Sequence, residues 1–329
     1  SAASTAPGRG TDVAARRGAG GADFLAITGP TTSGKTALSL EVAEALDGEI
    51  VSMDSRQLYR GMDIGTDTVE AEARARVPHH GLDLVDPDER YSAGRFARDV
   101  RRWIPEIRAR GRVPVLAGGT GFFLRAVLEP IFAEPEMDPS RRRRLKGWLE
   151  DRPREELERW VHRLDPERAE LAVEGGPQRM GRTVEVALLS GRPLSWWHRE
   201  APADGPALDG VVVVLELPRE ELDRRIDARV LRMVERGLVE EVRRLSDAGY
   251  GPADPGMTGT GYREILAHLQ GECTLEEAVE EIQANTRRYA RRQLTWFRNQ
   301  LPGDAVRIDA RLPAEERLRR TLAAWEARS

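Results

Sequence analysis

The sequence has little cysteine, little lysine and no long apolar run. Its 329 residues include a single cysteine, Cys273, which excludes a disulfide framework and any zinc site built from cysteine, and which fits a reducing cytosol. No apolar run approaches the roughly 18 residues that a membrane span needs, and the nearest is VVVVLEL at 211–217. We therefore expect a soluble, cytoplasmic protein without a membrane partner, in which any metal is bound by oxygen atoms.

Basic residues are almost all arginine, because only Lys35 and Lys146 are lysine. The 51 Lys and Arg residues are outnumbered by 55 Asp and Glu residues, which gives a formal net charge of -4. A nucleic-acid partner would therefore need a local basic patch rather than a positive field over the whole protein. Lysine is a compact point charge that the planar guanidinium of arginine replaces poorly, so its retention at position 35 indicates a function there.

Residues 29–36, GPTTSGKT, have the spacing GxxxxGK[ST] of a P-loop. The preceding FLAITG at 24–29 is typical of a buried strand, and an amphipathic helix is predicted from Thr36 to about Leu46, which is the context that this motif requires. Backbone amides would hold phosphates, Lys35 would neutralise them, and the hydroxyl of Thr36 could bind Mg²⁺. The predicted polyphosphate-binding residues are Gly29, Pro30, Thr31, Thr32, Ser33, Gly34, Lys35 and Thr36.

Two further predicted strands end at polar residues. EIVSM at 49–53 leads to Asp54, and VPVLA at 113–117 leads to GGTG at 118–121, which contains Thr120. In an open parallel sheet the carboxyl ends of the strands line one edge, where ligands bind. We therefore predict an α/β fold, a P-loop NTPase-like parallel sheet flanked by helices, with the P-loop, Asp54 and Thr120 facing one cleft.

Composition divides the chain into three parts. Residues 1–21 are small, rich in glycine and without an apolar period, which predicts a disordered tail. Residues 138–200 are charge-dense and helical in pattern, with RRRR at 141–144, and are predicted to form an inserted helical lobe. The P-loop core would then comprise residues 22–137 and 201–329, with VVVVLEL returning the chain to the sheet.

Two long helices are predicted after that strand. In the helix at 221–238, apolar residues recur at helical spacing, and Arg225, Arg229 and Arg232 share another face. We expect the second helix to be the final one of the chain, running from near Thr274 to about residue 298. The spacing of Thr274 to Glu277 makes a capping box at its start. The apolar positions of the first helix are Leu222, Ile226, Val230 and Met233.

Three charged clusters each have a structural and a functional interpretation. His79 and His80 follow a proline without further ligand-type residues nearby, which favours a turn over a metal site. The tetra-arginine run is typical of a solvated helix face. The acidic start and basic end of the second long helix suit the helix dipole, yet its arginines alternate with aromatic residues, as on RNA-facing surfaces. The residues alone leave that last choice open.

Asp54 is the one carboxylate at a predicted strand end that could serve a reaction. Neither 113–117 nor 211–217 ends in the acidic residue that a phosphate-transferring P-loop enzyme uses to hold its metal, which argues against a kinase. Asp54 could instead take a proton from an incoming nucleophile while the P-loop holds a pyrophosphate leaving group. The alternative roles are a helix N-cap or an outer anchor for the metal; Thr120 could likewise cap the helix that follows it.

Together these motifs resemble the tRNA dimethylallyltransferase (tRNA isopentenyltransferase) family of bacterial type, over about 24–298. The sequence departs from the family pattern at GTDT, 65–68, where a GTAKP-like stretch is usual, and at Phe122–Phe123, where tyrosine is common second. The segments that carry the resemblance are GPTTSGKT, EIVSMDSRQLYRGMDIGT, VPHHGLDLVDPDERYSAGRF, VPVLAGGTGFFLRA, DPSRRRRL, QRMGRTVEV, RIDARVLRMVERGLVEEV, GTGYREI and YARRQLTWFRNQ.

The resemblance implies transfer of the dimethylallyl group from dimethylallyl diphosphate to N6 of the adenosine 3′-adjacent to the anticodon (position 37), in tRNAs that read codons beginning with U. It implies Mg²⁺, release of pyrophosphate, a flipped adenosine and an anticodon stem-loop held by the helical lobe and the long helix of a monomer. Asp54 would be the general base, Thr120 would contact the target nucleotide or the diphosphate, and Arg225 and Arg229 fall where basic diphosphate contacts are expected.

The residues that the resemblance assigns to tRNA contacts are Asp54, Ser55, Arg56, Gln57, Thr120, Arg142, Gln178, Arg179, Met180, Gly181, Arg182, Thr258, Gly259, Thr260, Gly261, Tyr262, Arg263, Arg291, Arg292, Gln293, Trp296 and Arg298. Three other functions stay open at this point. An adenylate isopentenyltransferase would act on free AMP, ADP or ATP, but it needs neither the inserted lobe nor ARRQLTWFR at 290–298. A P-loop kinase of a small metabolite would turn over ATP, and the lack of a strand-end metal ligand opposes it. A nucleotide-gated RNA-binding module without catalysis would function unchanged after Asp54→Ala.

Overall fold

The computed structural model describes residues 21–130, 132, 135 and 137–328. They form two compact units: the first comprises the described residues up to Glu129 and from Ala207 onwards, and the second comprises Pro130–Pro206. The predicted insertion at 138–200 falls inside the second unit, whose two connecting segments also pair with each other through an antiparallel bridge between Phe132 and Ala203. The predicted tail lies, except for Gly21, outside the described residues.

The first unit contains a six-stranded sheet in the order β3-β2-β4-β1-β5-β6. All of its strand pairs are parallel, so the carboxyl ends of the strands meet at one edge, as predicted. β1 and β2 are buried throughout, because helices cover both faces of such a sheet. The strands are β1 Phe24–Thr28, β2 Gly48–Ser52, β3 His79–His80, β4 Val113–Ala117, β5 Gly210–Glu216 and β6 Val306–Asp309.

Helices α1–α4 and α10–α14 belong to this unit. The four apolar residues predicted to share one face of α10 are all buried. Thr274 caps α13 by accepting a hydrogen bond from the Glu277 N–H, as the capping-box spacing predicts. The bounds are α1 Lys35–Ala45, α2 Ala71–Arg76, α3 Ala93–Ala109, α4 Gly121–Leu128, α10 Arg219–Glu235, α11 Leu238–Asp247, α12 Tyr262–Leu269, α13 Leu275–Gln300 and α14 Ala314–Glu326.

The second unit is built from helices around its own apolar core. Leu157, Val161 and Val184 are fully or almost fully buried there, and Leu145 and Trp160 pack against them. The bounds are α5 Pro139–Glu150, α6 Arg154–Leu164, α7 Ala169–Glu174, α8 Pro177–Ser190 and α9 Leu194–Glu200, with a 3₁₀ turn at Pro166–Arg168. Among the described residues of both units, no helix combines the length and the apolar character needed to cross a membrane.

Two sequence interpretations are wrong in this part of the fold. His79 and His80 do not form a turn but β3, the edge strand paired with β2. The helix that begins after Thr274 is not the final one, because β6 and α14 follow it. In both cases the element is held by a partner outside its own segment. β3 pairs with β2, β6 pairs with β5, and α14 packs on α1.

The edge of the sheet next to β3 is held by a buried carboxylate. Glu49 is 3% exposed and accepts two hydrogen bonds from Arg110, at 2.8 and 2.7 Å, and one from His80 at 2.7 Å if the imidazole is protonated at Nε2. These hydrogen bonds, with that of Arg110 the strongest, lower the pKa of Glu49 to about 2 against the opposing effect of burial. Because that pKa is depressed, ionised Glu49 stabilises the fold at neutral pH.

Replacing Glu49 by glutamine should lower the free energy of unfolding at pH 7 by about 1.5–3 kcal/mol, the usual contribution of hydrogen bonds to a charged group. The stabilisation by Glu49 is complete above pH 4.5 and is lost as the pH falls towards about 2, so the difference between the two proteins should shrink over that window. Urea unfolding at several pH values measures it. Glu216→Gln, which removes an exposed pair with Arg307, should change stability by less than about 1 kcal/mol; equal effects of both variants would contradict the assignment.

Candidate active site

A cleft of about 1170 Å³ opens in the first unit where the strands end. The P-loop lines it, together with Asp54 after β2 and Gly118 and Gly119 after β4. Helices α10 and α13 supply basic and aromatic side chains to the same cleft, among them Arg229 and Tyr289. The P-loop and Asp54 therefore share one cleft, as predicted, whereas Thr120 follows the lining residues Gly118 and Gly119 without itself lining the cleft.

The P-loop has the backbone of an anion-binding loop. Gly29 has φ +146°, and a Cβ there would lie 2.6 Å from the carbonyl oxygen of Leu215, so only glycine fits next to β5. Thr32 has φ 62°, a left-handed conformation that non-glycine residues adopt mainly at functional sites. The hydroxyls of Thr32 and Ser33 are buried without a hydrogen-bond partner among the described residues. Buried hydroxyls that lack a partner are destabilising, and phosphate oxygens would satisfy them.

Lys35 lies at the start of α1 and points to the loop that precedes it. Its ammonium donates a hydrogen bond to the carbonyl oxygen of Pro30 at 2.6 Å. The pKa of Lys35 is lowered to about 8, chiefly by burial and also by the Arg229 charge, whereas the Asp54 carboxylate opposes the shift. A bound anion would raise the pKa again, so the lysine is suited to hold a phosphate group.

Two arginines of α10 reach the P-loop, as their shared helix face predicts. Arg229, 19% exposed, donates a hydrogen bond to the hydroxyl of Thr31 and pairs with Asp67 at 3.3 Å. Arg225 lies 3.5 Å from the carbonyl oxygen of Thr32 and pairs with a glutamate of its own helix. Both guanidinium groups therefore adjoin the predicted phosphate site, and Arg229 is the more buried.

Asp54 and Thr120 lie side by side at the sheet edge. The carboxylate of Asp54 accepts a hydrogen bond from the Arg56 N–H at 2.9 Å, and Thr120 accepts one from the Ser55 N–H at 3.0 Å. Residues 54–57 form a turn rather than a helix, so the N-cap interpretation of Asp54 is wrong. Thr120 occupies the N-cap position of α4, but its side chain makes no capping hydrogen bond.

Tyr289 of α13 completes this group, although the sequence interpretation did not include it among the site residues. Its side chain lines the cleft, and burial together with the Asp54 charge raises the pKa of Tyr289 to about 12. The signal that could have found it is its spacing of four residues from Gln293, which places both on one face of the helix. A neutral phenol beside Asp54 and Thr120 can donate a hydrogen bond within the cleft.

Gln293 was predicted to contact tRNA, and the structure corrects that prediction. The side chain is 7% exposed, accepts a hydrogen bond from the Thr31 N–H at 3.0 Å and donates one to the carbonyl oxygen of Gly119 at 2.8 Å. With its amide engaged at both ends, Gln293 braces the P-loop against the GGTG loop, residues 118–121. It is therefore a structural part of the cleft rather than an RNA-facing side chain.

Most other tRNA-contact candidates of the first unit lie around the opening. Arg56, Gln57, Thr258, Thr260, Arg263 and Arg292 line the cleft. On α13, Arg291 directly precedes Arg292 without lining the cleft, and Trp296 and Arg298 lie further along the helix. The structure corrects the prediction for Tyr262. Its side chain is 1% exposed, and its hydroxyl donates a hydrogen bond to buried Glu241 at 2.6 Å, so this side chain cannot contact RNA. The flanking Gly259 and Gly261 are also buried.

The second unit holds the remaining candidates. Gln178 and Arg179 are exposed, but Met180 is completely buried in the apolar core of the unit, so its predicted RNA contact is wrong. Arg142 and Arg182 both bind Glu185, at 2.8 and 2.7 Å. The neighbouring Gly181 is half-buried.

A metal ion in this cleft would be held mainly by phosphate oxygens of a bound substrate rather than by protein side chains. Within the described ranges no group of three or more His, Cys, Asp and Glu residues could hold a metal ion. Thr36 is exposed in the cleft, where its hydroxyl could join phosphate oxygens and water around an ion. Mg²⁺ usually keeps several waters and shares the phosphate oxygens of a substrate, so the residues present fit Mg²⁺ bound through a diphosphate.

The amino-acid sequence matches known proteins over most of its length. A family model described as IPP transferase matches residues 57–300. A tRNA dimethylallyltransferase of Thermomicrobium roseum is 47% identical over 279 residues, which is 83% of this chain and 83% of that protein.

Solved structures match both units. The full-length tRNA isopentenylpyrophosphate transferase of Bacillus halodurans is 34% identical with a TM-score of 0.66, and the match covers 93% of this chain and 97% of that one. A eukaryotic dimethylallyltransferase, solved acting on tRNA, is 28% identical with a TM-score of 0.71 over 87% of this chain and 73% of that one. These likenesses agree with a P-loop fold whose cleft carries a carboxylate, a threonine and several arginines.

Proposed function

The chain belongs to the IPP transferase family, and on that premise we propose that it transfers the dimethylallyl group of dimethylallyl diphosphate to N6 of the adenosine 3′-adjacent to the anticodon in tRNA. The observation that carries the proposal is the position of Asp54 beside the P-loop in one cleft, with Thr120 hydrogen-bonded to the adjacent Ser55. The cleft thus offers a site for a diphosphate leaving group and a base for an incoming amine. The protein is a prenyltransferase, which acts in the cytoplasm where its substrate tRNA is found.

The P-loop side of the cleft holds the diphosphate. Backbone amides of 32 and 34–36, together with the hydroxyls of Thr32 and Ser33 that lack a partner among the described residues, would bind its oxygens. Lys35 and the two arginines of α10 would balance its charge. Charge increases on the diphosphate as the bond to carbon breaks, so these groups stabilise the leaving group. Mg²⁺, held by the diphosphate and the Thr36 hydroxyl, would neutralise further charge when bound.

The Asp54 side of the cleft receives the adenosine. The lone pair of N6 forms the new bond to C1 of the dimethylallyl group, and the C1–O bond breaks with its electron pair leaving on pyrophosphate. The N6 proton passes to the Asp54 carboxylate. Thr120, which accepts a hydrogen bond from the Ser55 N–H, and Tyr289, whose pKa is raised by the Asp54 charge, can orient the base.

The adenosine must leave its stack to reach this cleft. Arginines and threonines around the opening would hold the flanking phosphates, and Gln178 and Arg179 of the second unit would bind elsewhere on the anticodon stem-loop. A locally basic rim on an acidic protein is what such docking needs. The restriction to tRNAs that read codons beginning with U, and a monomeric state, remain predictions.

The family assignment favours this function over the other candidates. The family match and relatives named for tRNA modification favour tRNA over a free nucleotide as the acceptor. A kinase would need an acidic metal ligand at the end of a neighbouring strand, whereas β4 leads to Gly118 and β5 ends at Glu216, which pairs with Arg307 and does not line the cleft. A nucleotide-gated RNA-binding module without catalysis would also use the P-loop, but the similar proteins are named as transferases.

The function is tested by incubating the protein with dimethylallyl diphosphate, Mg²⁺ and an unmodified anticodon stem-loop. The RNA should gain the mass of one dimethylallyl group, and pyrophosphate should appear in equal amount. A stem-loop with guanosine in place of the target adenosine should gain nothing. Prenylation of AMP without prenylation of the stem-loop would instead identify an adenylate isopentenyltransferase, and transfer of phosphate from ATP would identify a kinase.

A further inference from the structure

One face of α13 contacts both loops of the cleft. Tyr289, Gln293 and Trp296 follow each other at helical spacing. Tyr289 lines the cleft, and Gln293 hydrogen bonds with Gly119 of the GGTG loop and Thr31 of the P-loop. A Cβ on Gly121 would lie 2.3 Å from the Trp296 ring. α13 and the GGTG loop therefore pack so closely that a side chain at position 121 would not fit.

Gln293 is the residue of this face that spans the two loops. A Cβ on Gly119 would lie 2.5 Å from its amide nitrogen, so the glycine is required by the approach of the glutamine. The bond to Thr31 joins residues 262 positions apart in the chain. No shorter polar side chain could reach the Thr31 N–H and the Gly119 carbonyl oxygen from the same helix position.

The same helix carries the basic residues proposed to meet RNA. Arg288 and Arg292 line the cleft, and Arg298 lies exposed in the last turn. RNA contacts and the brace of the P-loop thus sit on one continuous helix. Anything that fixes the position of α13 also fixes the P-loop through Gln293.

We infer that Gln293 is a positioning residue that couples RNA binding on α13 to diphosphate binding on the P-loop. The inference rests on the proposed function for the identity of the two ligands. A bound stem-loop would hold α13, and Gln293 would hold the P-loop in the shape that receives the diphosphate, which lowers the ordering cost of binding. Coupling of this kind is reciprocal, so each ligand should tighten the other by about fivefold or more.

The test measures pyrophosphate binding by calorimetry with and without a stem-loop, for the wild type and Gln293→Met. Methionine keeps the volume of the side chain but neither hydrogen bond. Pyrophosphate affinity should fall about tenfold, and the tightening by the stem-loop should fall from at least fivefold to less than twofold. The affinity of the stem-loop alone should change by less than twofold, and the KM for dimethylallyl diphosphate should rise more than kcat falls.

Hydrogen exchange gives a direct readout of the brace. The Thr31 amide should exchange at least about tenfold faster in Gln293→Met, because it loses its acceptor. Gln293→Glu keeps an acceptor for Thr31 but adds a negative charge beside the diphosphate. It should therefore protect the amide and bind pyrophosphate more weakly than the methionine variant. Gln283→Met is the matched control, since Gln283 makes one hydrogen bond from the same helix, to Asp227, and should leave both measurements unchanged.

Unchanged coupling in Gln293→Met with only a lower melting temperature would overturn the inference. If that variant does not fold, Gln293→Glu decides it: wild-type pyrophosphate affinity and coupling in the glutamate variant would equally overturn it. Failure of the wild type to prenylate RNA would remove the proposed function, whereas the dependence of pyrophosphate affinity and Thr31 exchange on Gln293 would still be measured. The two failures are therefore distinguishable.

Discussion

Replacing Asp54 by asparagine is expected to lower the rate constant for prenyl transfer by about 10²–10⁴-fold, the usual contribution of a general base. Asparagine keeps the oxygen that accepts from the Arg56 N–H at 2.9 Å, so the turn at 54–57 should persist. It cannot take the proton that leaves N6. The variant therefore separates proton transfer from the shape of the cleft.

Single-turnover kinetics with enzyme in excess measure this rate constant without product release. Affinity for the stem-loop should stay within about twofold of wild type, because Asp54 contributes no positive charge to RNA binding. Asp83→Asn is a suitable control, since Asp83 pairs with Arg74 and does not line the cleft. Wild-type turnover in Asp54→Asn would exclude the general-base role and would favour a purely structural carboxylate.

Replacing Lys35 by methionine is expected to lower kcat/KM for dimethylallyl diphosphate by about 10²–10³-fold, as when one preorganised electrostatic group is removed. The ammonium is the point charge nearest to the loop amides, and its bond to Pro30 shows that it reaches the loop. The chain supplies a matched control in its other lysine. Lys146 pairs with Glu150 at the surface of the second unit, and Lys146→Met should change kcat/KM by less than about threefold.

The pH dependence of donor binding identifies the lysine. The pKa of Lys35 is lowered to about 8 in the free protein, and a bound anion raises it, so the protonated form binds the diphosphate. The affinity for the diphosphate donor should be constant below pH 8 and should fall by up to about tenfold for each pH unit above pH 8. Lys35→Arg should abolish this dependence, because a guanidinium stays charged. An unchanged pH profile in that variant would assign the titration to another group.

Local patterns predicted the central parts of the fold and failed at its edges. The P-loop, β1, β2, β4 and the buried face of α10 all follow from apolar spacing and glycine position, which act within a few residues. β3 has two residues, and its pairing depends on β2. α14 packs on α1, a contact between opposite ends of the sequence that no local period can report.

The candidate site shows the same limit at the level of single side chains. Motifs located Asp54, Thr120, Lys35 and the arginines of α10, because strand ends and helix faces determine where such residues meet. The direction of Tyr262 and Gln293 depends on neighbours from other segments. Glu241 draws Tyr262 into the core, and two loops draw in Gln293, so proximity to a motif did not make either an RNA contact.

The brace between Gln293 and Thr31 also affects the order of events during synthesis. The P-loop leaves the ribosome 262 residues before its brace, which at usual elongation rates is on the order of tens of seconds. Until α13 has been made, the loop lacks the partner that orients it, although β5, the neighbour of β1, is already present. We therefore expect a nascent chain to bind the proposed diphosphate productively only after α13 has been made.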